Sequence, residues 1–162
     1  MKSITLISSL FLCFILMPLK MAGQAGKLPP FRMMQAGNKV FRAEDLPIGK
    51  PIMIVYFSTD CEECSTFVKG MLDRMNDFKG VSIAMVTFQP VESVSRYIVK
   101  NGLNMYPNLY VGTEGNVFYL RNYYRITTFP FVALYTKNGD LVVQYTSKQV
   151  SLDDLAKKVK GL

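Results

Sequence analysis

An apolar run that leads straight into a pair of cysteines limits the folds open to this chain. The segment from Pro51 to Phe57 is continuously apolar and rich in β-formers, which is typical of a strand buried on both faces of a sheet. Cys61 and Cys64 follow it, and apolar residues then recur at helical spacing as far as Phe78. The pattern therefore predicts that the C-x-x-C segment lies where a central strand passes into the N-terminus of a helix.

The short spacing between Cys61 and Cys64 indicates redox chemistry. A disulfide that closes so small a loop restrains the unfolded chain little, so a purely structural role is disfavoured. At a helix N-terminus the unpaired amides and the dipole favour a thiolate on Cys61, while Cys64 is placed to resolve a mixed disulfide. The alternatives are an inert bridge or a two-thiolate metal clip. A clip needs further Cys or His ligands, and the sequence holds no His and one other cysteine, Cys13. No metal site and no cofactor are therefore expected.

The first 25 residues have the pattern of an export signal. After a positively charged start, the segment from Ser3 to Leu19 is uncharged and mostly apolar, and Gly23 to Ala25 offers small residues at the positions that a signal peptidase reads. The run is shorter than the roughly 20 apolar residues of a membrane helix, so a retained anchor is the minority alternative. We predict a cleaved signal peptide over 1–25 and one domain over 26–162, which acts in the periplasm or outside the cell.

Composition excludes several classes of function for the exported domain. Without residues 1–25 the chain keeps 17 basic and 12 acidic side chains, and its C-terminal lysines complement the dipole of a final helix. This diffuse excess predicts no nucleic-acid partner. With 49% hydrophobic residues, the chain has enough apolar surface for one core, which argues against disorder. The absence of His excludes catalytic triads that rely on imidazole.

Strand and helix patterns alternate along the rest of the chain. The expected elements are a buried strand at 81–88, a helix at 91–101, a short edge strand at 106–111, a helix at 116–125, a hairpin of strands 131–135 and 141–145, and a final helix capped by Ser151. Strands that alternate with helices and end in a hairpin predict a mixed sheet covered by helices.

These motifs together resemble the thioredoxin superfamily over about residues 40–160. The resemblance rests on the strand, Cys61-Glu62-Glu63-Cys64 and helix unit, and on Phe129-Pro130 just before the hairpin. It is closest in kind to exported, membrane-facing thioredoxins of bacterial envelopes, including those that serve cytochrome c maturation. Such proteins carry a helix-strand insertion before a cis-proline, and residues 90–127 are long enough to form it. The resemblance implies a thioredoxin-like α/β fold with a mixed central sheet flanked by helices.

The resemblance also implies roles for four residues. Cys61 attacks a client disulfide and Cys64 resolves the intermediate, while Pro130 is cis, faces the cysteines and lets Phe129 pair with an extended substrate. The implied partners are a disulfide-bearing client protein and an upstream membrane dithiol donor, since the periplasm has no glutathione buffer. A monomer is expected. The plainer alternatives are a strand-start role for Pro130 and a core position for Phe129.

Two departures from the family pattern leave other functions open. Asp60 replaces the aromatic residue that usually precedes the first cysteine, and Val55 stands where many cytoplasmic thioredoxins hold a buried acid. These changes, with a tyrosine-rich insertion, support a redox-inactive binding module as the alternative function. A peroxide-reducing relative is a weaker alternative, because that chemistry uses a differently spaced cysteine in a Thr-containing loop supported by an Arg, and only Thr59 fits.

The acidic residues near the cysteines bear on both proton transfer and direction. The proton acceptor for Cys64 stays open among three carboxylates, those of Glu62, Glu63 and Glu92. Repulsion from the acids beside Cys61 is expected to offset much of the helix dipole's stabilisation of its thiolate. A less stabilised thiolate favours a reducing couple over an oxidising one.

Overall fold

A computed structural model describes residues 26–162, so the predicted signal peptide over 1–25 lies outside the described residues. The described part forms a seven-stranded mixed sheet with the order β2-β1-β5-β4-β3-β6-β7. Its strands are β1 (Arg32–Gln35), β2 (Lys39–Arg42), β3 (Ile52–Tyr56), β4 (Ser82–Thr87), β5 (Leu109–Thr113), β6 (Phe131–Tyr135) and β7 (Leu141–Thr146). Its helices are α1 (Glu62–Asp73), α2 (Met75–Phe78), α3 (Val91–Asn101), α4 (Tyr119–Tyr123) and α5 (Leu152–Lys160).

Strand β3 is central and is buried on both faces, as the apolar run predicted. It pairs parallel with β4 and antiparallel with β6, and every residue of these three strands is buried. Alternate residues of β3 enter two separate cores. Met53 and Val55 pack in the first core, to which α1, α3 and α5 contribute, while Ile54 and Tyr56 pack in the second with the β1–β2 hairpin and α4.

The first helix is interrupted, whereas the sequence predicted one helix as far as Phe78. Helix α1 ends at Asp73, and Arg74 leaves the helical conformation before α2 begins. The Arg74 guanidinium donates to Asp77 at 3.1 Å and to Asp153 of α5 at 2.5 Å. The break therefore coincides with a residue whose charged head links α2 to the C-terminal helix.

The predicted edge strand at 106–111 is an interior strand, so this expectation was wrong. Strand β5 pairs parallel with β4 on one side and antiparallel with β1 on the other. The hairpin of β1 and β2, which the sequence analysis did not predict, covers the side of β5 that was expected to be free. A strand lies at the edge of a sheet only if no further strand pairs with it. Because the β1–β2 hairpin was not predicted, β5 was wrongly expected to be an edge strand.

The predicted helix at 116–125 is shorter than expected. A 3-10 turn over Gly115–Val117 is separated from α4 by Phe118, whose φ of 50° lies in the left-handed region. That conformation is unusual for a bulky residue and cannot continue a right-handed helix. The hairpin of β6 and β7, helix α3 and the Ser151-capped helix α5 are confirmed. No helix within residues 26–162 is long and apolar enough to cross a membrane.

Gly112 permits the close approach of β1 to β5, and its replacement should separate them. A Cβ at this position would lie 2.8 Å from the Met34 carbonyl oxygen and 2.8 Å from Met33 Cγ. We expect Gly112→Ala to lower the free energy of unfolding in urea by about 1–3 kcal/mol, because backbone must move. Gly80→Ala is the control, since a Cβ there meets nothing within 4 Å. Equal stability of the two variants would contradict this packing.

Candidate active site

Cys61 and Cys64 form a disulfide at the N-terminus of α1. Cys61 is the residue just before the helix, and its Sγ accepts a hydrogen bond of 3.1 Å from the Cys64 amide. Cys61 is half-buried, whereas Cys64 is completely buried in the first core. One sulfur is therefore accessible at the surface and the other is sheltered, as the sequence predicted.

Phe129 and Pro130 lie beside this disulfide. The peptide bond between them is cis, and the Phe129 carbonyl oxygen is 4.0 Å from Cys61 Sγ. Pro130 is buried at the start of β6, and its carbonyl accepts a hydrogen bond of 2.6 Å from the Ser147 amide. The structure thus brings all four predicted site residues together at one end of the sheet. An open groove of about 670 Å³ lies beside Pro130 and the first turn of α1, and its lining includes Glu62, Glu63, Phe67, Pro130 and Lys148.

The acidic residues around Cys61 differ in how they relate to its sulfur. Glu63 places a carboxylate oxygen 3.7 Å from Cys61 Sγ. The Asp60 carboxylate instead accepts a hydrogen bond of 2.8 Å from the Gln89 side chain. Gln89 also accepts a hydrogen bond of 2.6 Å from the Thr59 amide. Gln89 therefore fixes the loop before Cys61, a role that no pattern around a lone glutamine in the sequence indicates.

The buried cysteine has no carboxylate from Glu92 or from position 55, where the family often has an acid and this chain has a valine. Glu92 lies exposed in the first turn of α3, and Val55 is completely buried in β3. Among residues 26–162, no carboxylate forms a hydrogen bond with Cys64, which packs among apolar side chains. Of the three candidate acceptors, Glu63 is the one with a contact to the disulfide within the described residues, and that contact is to Cys61 Sγ.

The carboxylate of Glu114 is buried and lies directly after the end of β5. It accepts a hydrogen bond of 2.6 Å from the Tyr56 hydroxyl at the end of β3. It also accepts hydrogen bonds from the amides of Leu120, at 2.8 Å, and Arg121, at 3.4 Å. Burial, reinforced by Glu114, raises the pKa of Tyr56 far above its usual value, so the phenol stays a donor. This pair has no signature in the sequence, because an acid that follows a strand is usually a surface residue.

Three phenylalanine rings and one arginine form a partly exposed group next to Cys61. We call Phe88, Phe118 and Phe129 the aromatic cluster. The Arg121 guanidinium carbon lies 5.4 Å, 5.6 Å and 5.7 Å from the three ring centroids, in that order. These distances are within the range of cation–π attraction. Phe129 also stacks on Tyr56 at 5.9 Å, so the cluster joins the Glu114 network to the redox pair.

Comparison with known proteins connects this site to a family and a fold. The model of the AhpC/TSA family matches residues 25–149. A secreted disulfide oxidoreductase from Mycobacterium tuberculosis superposes with a TM-score of 0.66 at 17% identity, over 82% of this chain and 96% of its own. The thioredoxin domain of a thiol-disulfide oxidoreductase from Bacteroides vulgatus gives 0.67 at 21% identity, over 83% and 94%.

A thioredoxin-like protein from Porphyromonas gingivalis shows the same architecture. It superposes with a TM-score of 0.68 at 24% identity, over 83% of this chain and 90% of its own. No curated protein has significant sequence similarity to the chain. Together with the strand order, these similarities confirm the predicted thioredoxin-like α/β fold, with a mixed seven-stranded sheet flanked by helices.

Removal of the Tyr56 hydroxyl tests whether the buried Glu114 carboxylate depends on it. Tyr56→Phe leaves that carboxylate without its shortest hydrogen bond, and we expect a loss of about 1–3 kcal/mol in unfolding free energy at neutral pH. Urea denaturation measures it. Tyr110→Phe is the control, because the Tyr110 hydroxyl has no hydrogen bond within the described part of the chain.

The pH dependence of the same variant provides a second measurement. The pKa of Tyr56 is raised in the fold, whereas an unfolded tyrosine ionises near pH 10. The stabilising effect of the buried, protonated phenol is thus complete below pH 10 and is lost as pH rises above it. The wild-type protein should lose more stability between pH 9 and 11 than Tyr56→Phe does. Parallel pH profiles would contradict the assignment.

Proposed function

Given that this chain belongs to the AhpC/TSA family, we propose that it is a thiol-disulfide oxidoreductase whose Cys61–Cys64 pair exchanges with disulfides of client proteins. The observation that carries the proposal is the position of the half-buried Cys61 sulfur at the start of α1, 4.0 Å from the Phe129 carbonyl, with Cys64 buried beneath it. The C-x-x-C spacing and the oxidoreductases of the same fold support thioredoxin-like activity.

The exchange proceeds in two balanced steps. In the reducing direction, the Cys61 thiolate attacks one sulfur of the client disulfide and releases the other as a thiolate, which takes up a proton. The Cys64 thiolate then attacks Cys61 Sγ and releases the second client thiol. Two electrons pass to the client and the Cys61–Cys64 disulfide forms. The Cys64 amide, which donates to Cys61 Sγ at 3.1 Å, stabilises the attacking thiolate.

Phe129 and Pro130 are proposed to form the docking edge for the client. Within residues 26–162, the Phe129 carbonyl accepts no hydrogen bond from a backbone amide, so it is available to an extended client segment. The cis bond to Pro130, which has no amide hydrogen, turns the backbone at this point of the chain. A client strand aligned along Phe129 would bring its disulfide to the Cys61 sulfur.

The direction of exchange is proposed to be reducing. The amide donor of Cys64 favours the Cys61 thiolate, while the Glu63 carboxylate at 3.7 Å opposes it. At that distance, two negative charges repel by about 1–4 kcal/mol for an effective dielectric between 80 and 20. A thiolate that is weakly stabilised makes the disulfide form comparatively stable, which characterises a reductant. Glu63 is also the proposed proton acceptor for Cys64.

The proposed setting is the periplasm or the cell exterior. The support is the signal pattern over residues 1–25 and the presence of a secreted oxidoreductase among the proteins of the same fold. A reductant in this setting needs an upstream membrane dithiol donor, because no glutathione buffer is available there. We propose that the protein acts on disulfide-bearing clients as a monomer.

Peroxide reduction is less well supported by the site. The Thr59 hydroxyl, the one element of that chemistry identified in the sequence, donates to the Asp60 carboxylate at 3.2 Å. This hydroxyl therefore contributes a hydrogen bond within the loop before Cys61. Disulfide exchange uses both cysteines in the positions that the structure gives them, so it is the function proposed here.

Cysteine substitutions test the activity directly. We expect the wild-type protein to accelerate insulin reduction by dithiothreitol, Cys61→Ala to abolish the acceleration, and Cys64→Ser to accumulate mixed disulfides with insulin on non-reducing gels. Cys61 has the attacking sulfur, so the control with both cysteines replaced should trap nothing. A wild-type protein without insulin reduction, and a Cys64→Ser variant without covalent adducts, would favour the redox-inactive binding module.

The Glu63 carboxylate should lower the reduction potential. Glu63→Gln removes the repulsion at Cys61, and we expect the potential to rise by about 20–30 mV, which corresponds to about 1 kcal/mol. Equilibration with glutathione redox buffers measures it. Glu62→Gln is the control, because Glu62 lies in the same helical turn but forms no hydrogen bond with the described residues. Equal shifts, or a wild-type potential as high as that of disulfide-introducing periplasmic enzymes, would contradict a reducing role.

A further inference from the structure

Arg121 is a cation that the fold holds on the aromatic cluster, beside the redox pair. Residues 26–162 contain six ion pairs between basic and acidic side chains, and none of them includes Arg121. Its guanidinium lies on the aromatic cluster instead and remains partly exposed. The aromatic rings attract the positive charge across the flat face of the guanidinium. They accept hydrogen bonds from few of the five N–H groups at the guanidinium edge. None of those donors forms a hydrogen bond with the described residues, so they are available to a ligand.

The fold fixes the position of Arg121 from two directions. The buried Glu114 carboxylate accepts hydrogen bonds from the backbone amides of Leu120 and Arg121. These bonds connect the start of α4 to the end of β5. Phe118, in the left-handed region with a φ of 50°, turns the chain so that its ring joins the cluster. That conformation is unfavourable for a bulky residue, because its Cβ comes too close to the following carbonyl oxygen. Strain of this kind is often found where a side chain must be placed for function.

The surroundings of Cys61 therefore differ in charge from one side to the other. On the α1 side lie Glu62 and Glu63, with a carboxylate oxygen 3.7 Å from the sulfur. On the Phe129 side lies Arg121, whose guanidinium carbon is 5.7 Å from the Phe129 ring. The Phe129 carbonyl, in turn, is 4.0 Å from the same sulfur. A client segment that docks along Phe129 would thus pass a guanidinium whose donors form no hydrogen bond within residues 26–162.

We propose that Arg121 is a specificity-determining residue that selects client disulfides flanked by an acidic side chain. The inference rests on the proposed function, because it concerns the substrate of the same Cys61–Cys64 exchange. A client Asp or Glu next to the reactive cysteine accepts hydrogen bonds from the guanidinium edge while the aromatic cluster supports its face. The client carboxylate is drawn toward Arg121 and away from Glu63, which orients the disulfide over Cys61. Arg121 takes no part in the electron transfer.

Single-turnover kinetics with matched peptides test this selection. Three peptide disulfides, identical except for Glu, Gln or Lys beside the cysteine, react with the protein after pre-reduction and removal of the reductant. Each position beside the cysteine is tested separately. For the wild-type protein we expect the Glu peptide to react about five times faster than the Gln peptide at low salt, as one partly exposed ion pair allows. The Lys peptide should react slowest.

The variants and the ionic strength identify the source of the preference. In Arg121→Gln the ratio of the Glu to the Gln peptide should fall to about one, and Arg121→Glu should favour the Lys peptide. Arg96→Gln is the control and should keep the wild-type ratio, because Arg96 lies exposed on α3 and its guanidinium binds Ser93. The wild-type ratio should also fall toward one in 0.5 M salt, a measurement that needs no variant.

The possible failures of the two proposals are distinct. If the wild-type protein reduces all three peptides at equal rates, Arg121 does not select the client, and the oxidoreductase activity stands. A preference for the Glu peptide that survives in Arg121→Gln would also overturn the role of Arg121. If the wild-type protein reduces neither these peptides nor insulin, the proposed function itself fails.

Discussion

The site depends on the position of one strand end relative to one helix start. Strand β3 is fixed at the centre of the sheet, because both of its faces are covered by apolar cores. The chain leaves β3 at Tyr56, and Gln89 then holds the loop through Thr59 and Asp60. Cys61 is therefore delivered to the N-terminus of α1, where the Cys64 amide can donate to its sulfur. Without a buried β3, neither sulfur would have a defined environment.

The two faces of β3 serve two parts of the site. Residues on the first face pack in the core that contains Cys64, so that core determines how deeply the Cys64 sulfur is buried. Tyr56, on the second face, donates to Glu114, which in turn anchors the start of α4. Because successive side chains of a strand alternate between faces, one short segment positions both the redox chemistry and the adjoining aromatic cluster.

The features that the sequence predicted are those that arise from local patterns. Continuous apolar runs identified β3 and β4, turn residues identified the hairpin of β6 and β7, and the C-x-x-C spacing identified the cysteines. The hairpin of β1 and β2 was missed because its strands have four residues each and mix charged with apolar side chains. Such short strands show little periodicity, and their pairing depends on β5.

The supporting residues of the site could not be predicted for a different reason. Gln89 reaches Thr59 across 30 positions in the chain, and Glu114 reaches Tyr56 across 58. Their roles exist only once the sheet has assembled, since an isolated Gln or Glu after a strand has many possible environments. Family resemblance indicated Phe129 and Pro130, but it did not indicate the residues that hold the aromatic cluster.

Two opposing contacts at Cys61 Sγ differ in how firmly the fold determines them. The Cys64 amide is part of the α1 backbone, so its contribution to thiolate stability is fixed once the helix forms. Glu63 is exposed, so the effect of its charge on the sulfur is screened by salt. In the exchange proposed here, the backbone gives the Cys61 thiolate a fixed stabilisation and one surface side chain opposes it. The proposed direction of exchange therefore depends on a side chain beside Cys61, and not on the sheet or on the cysteine spacing.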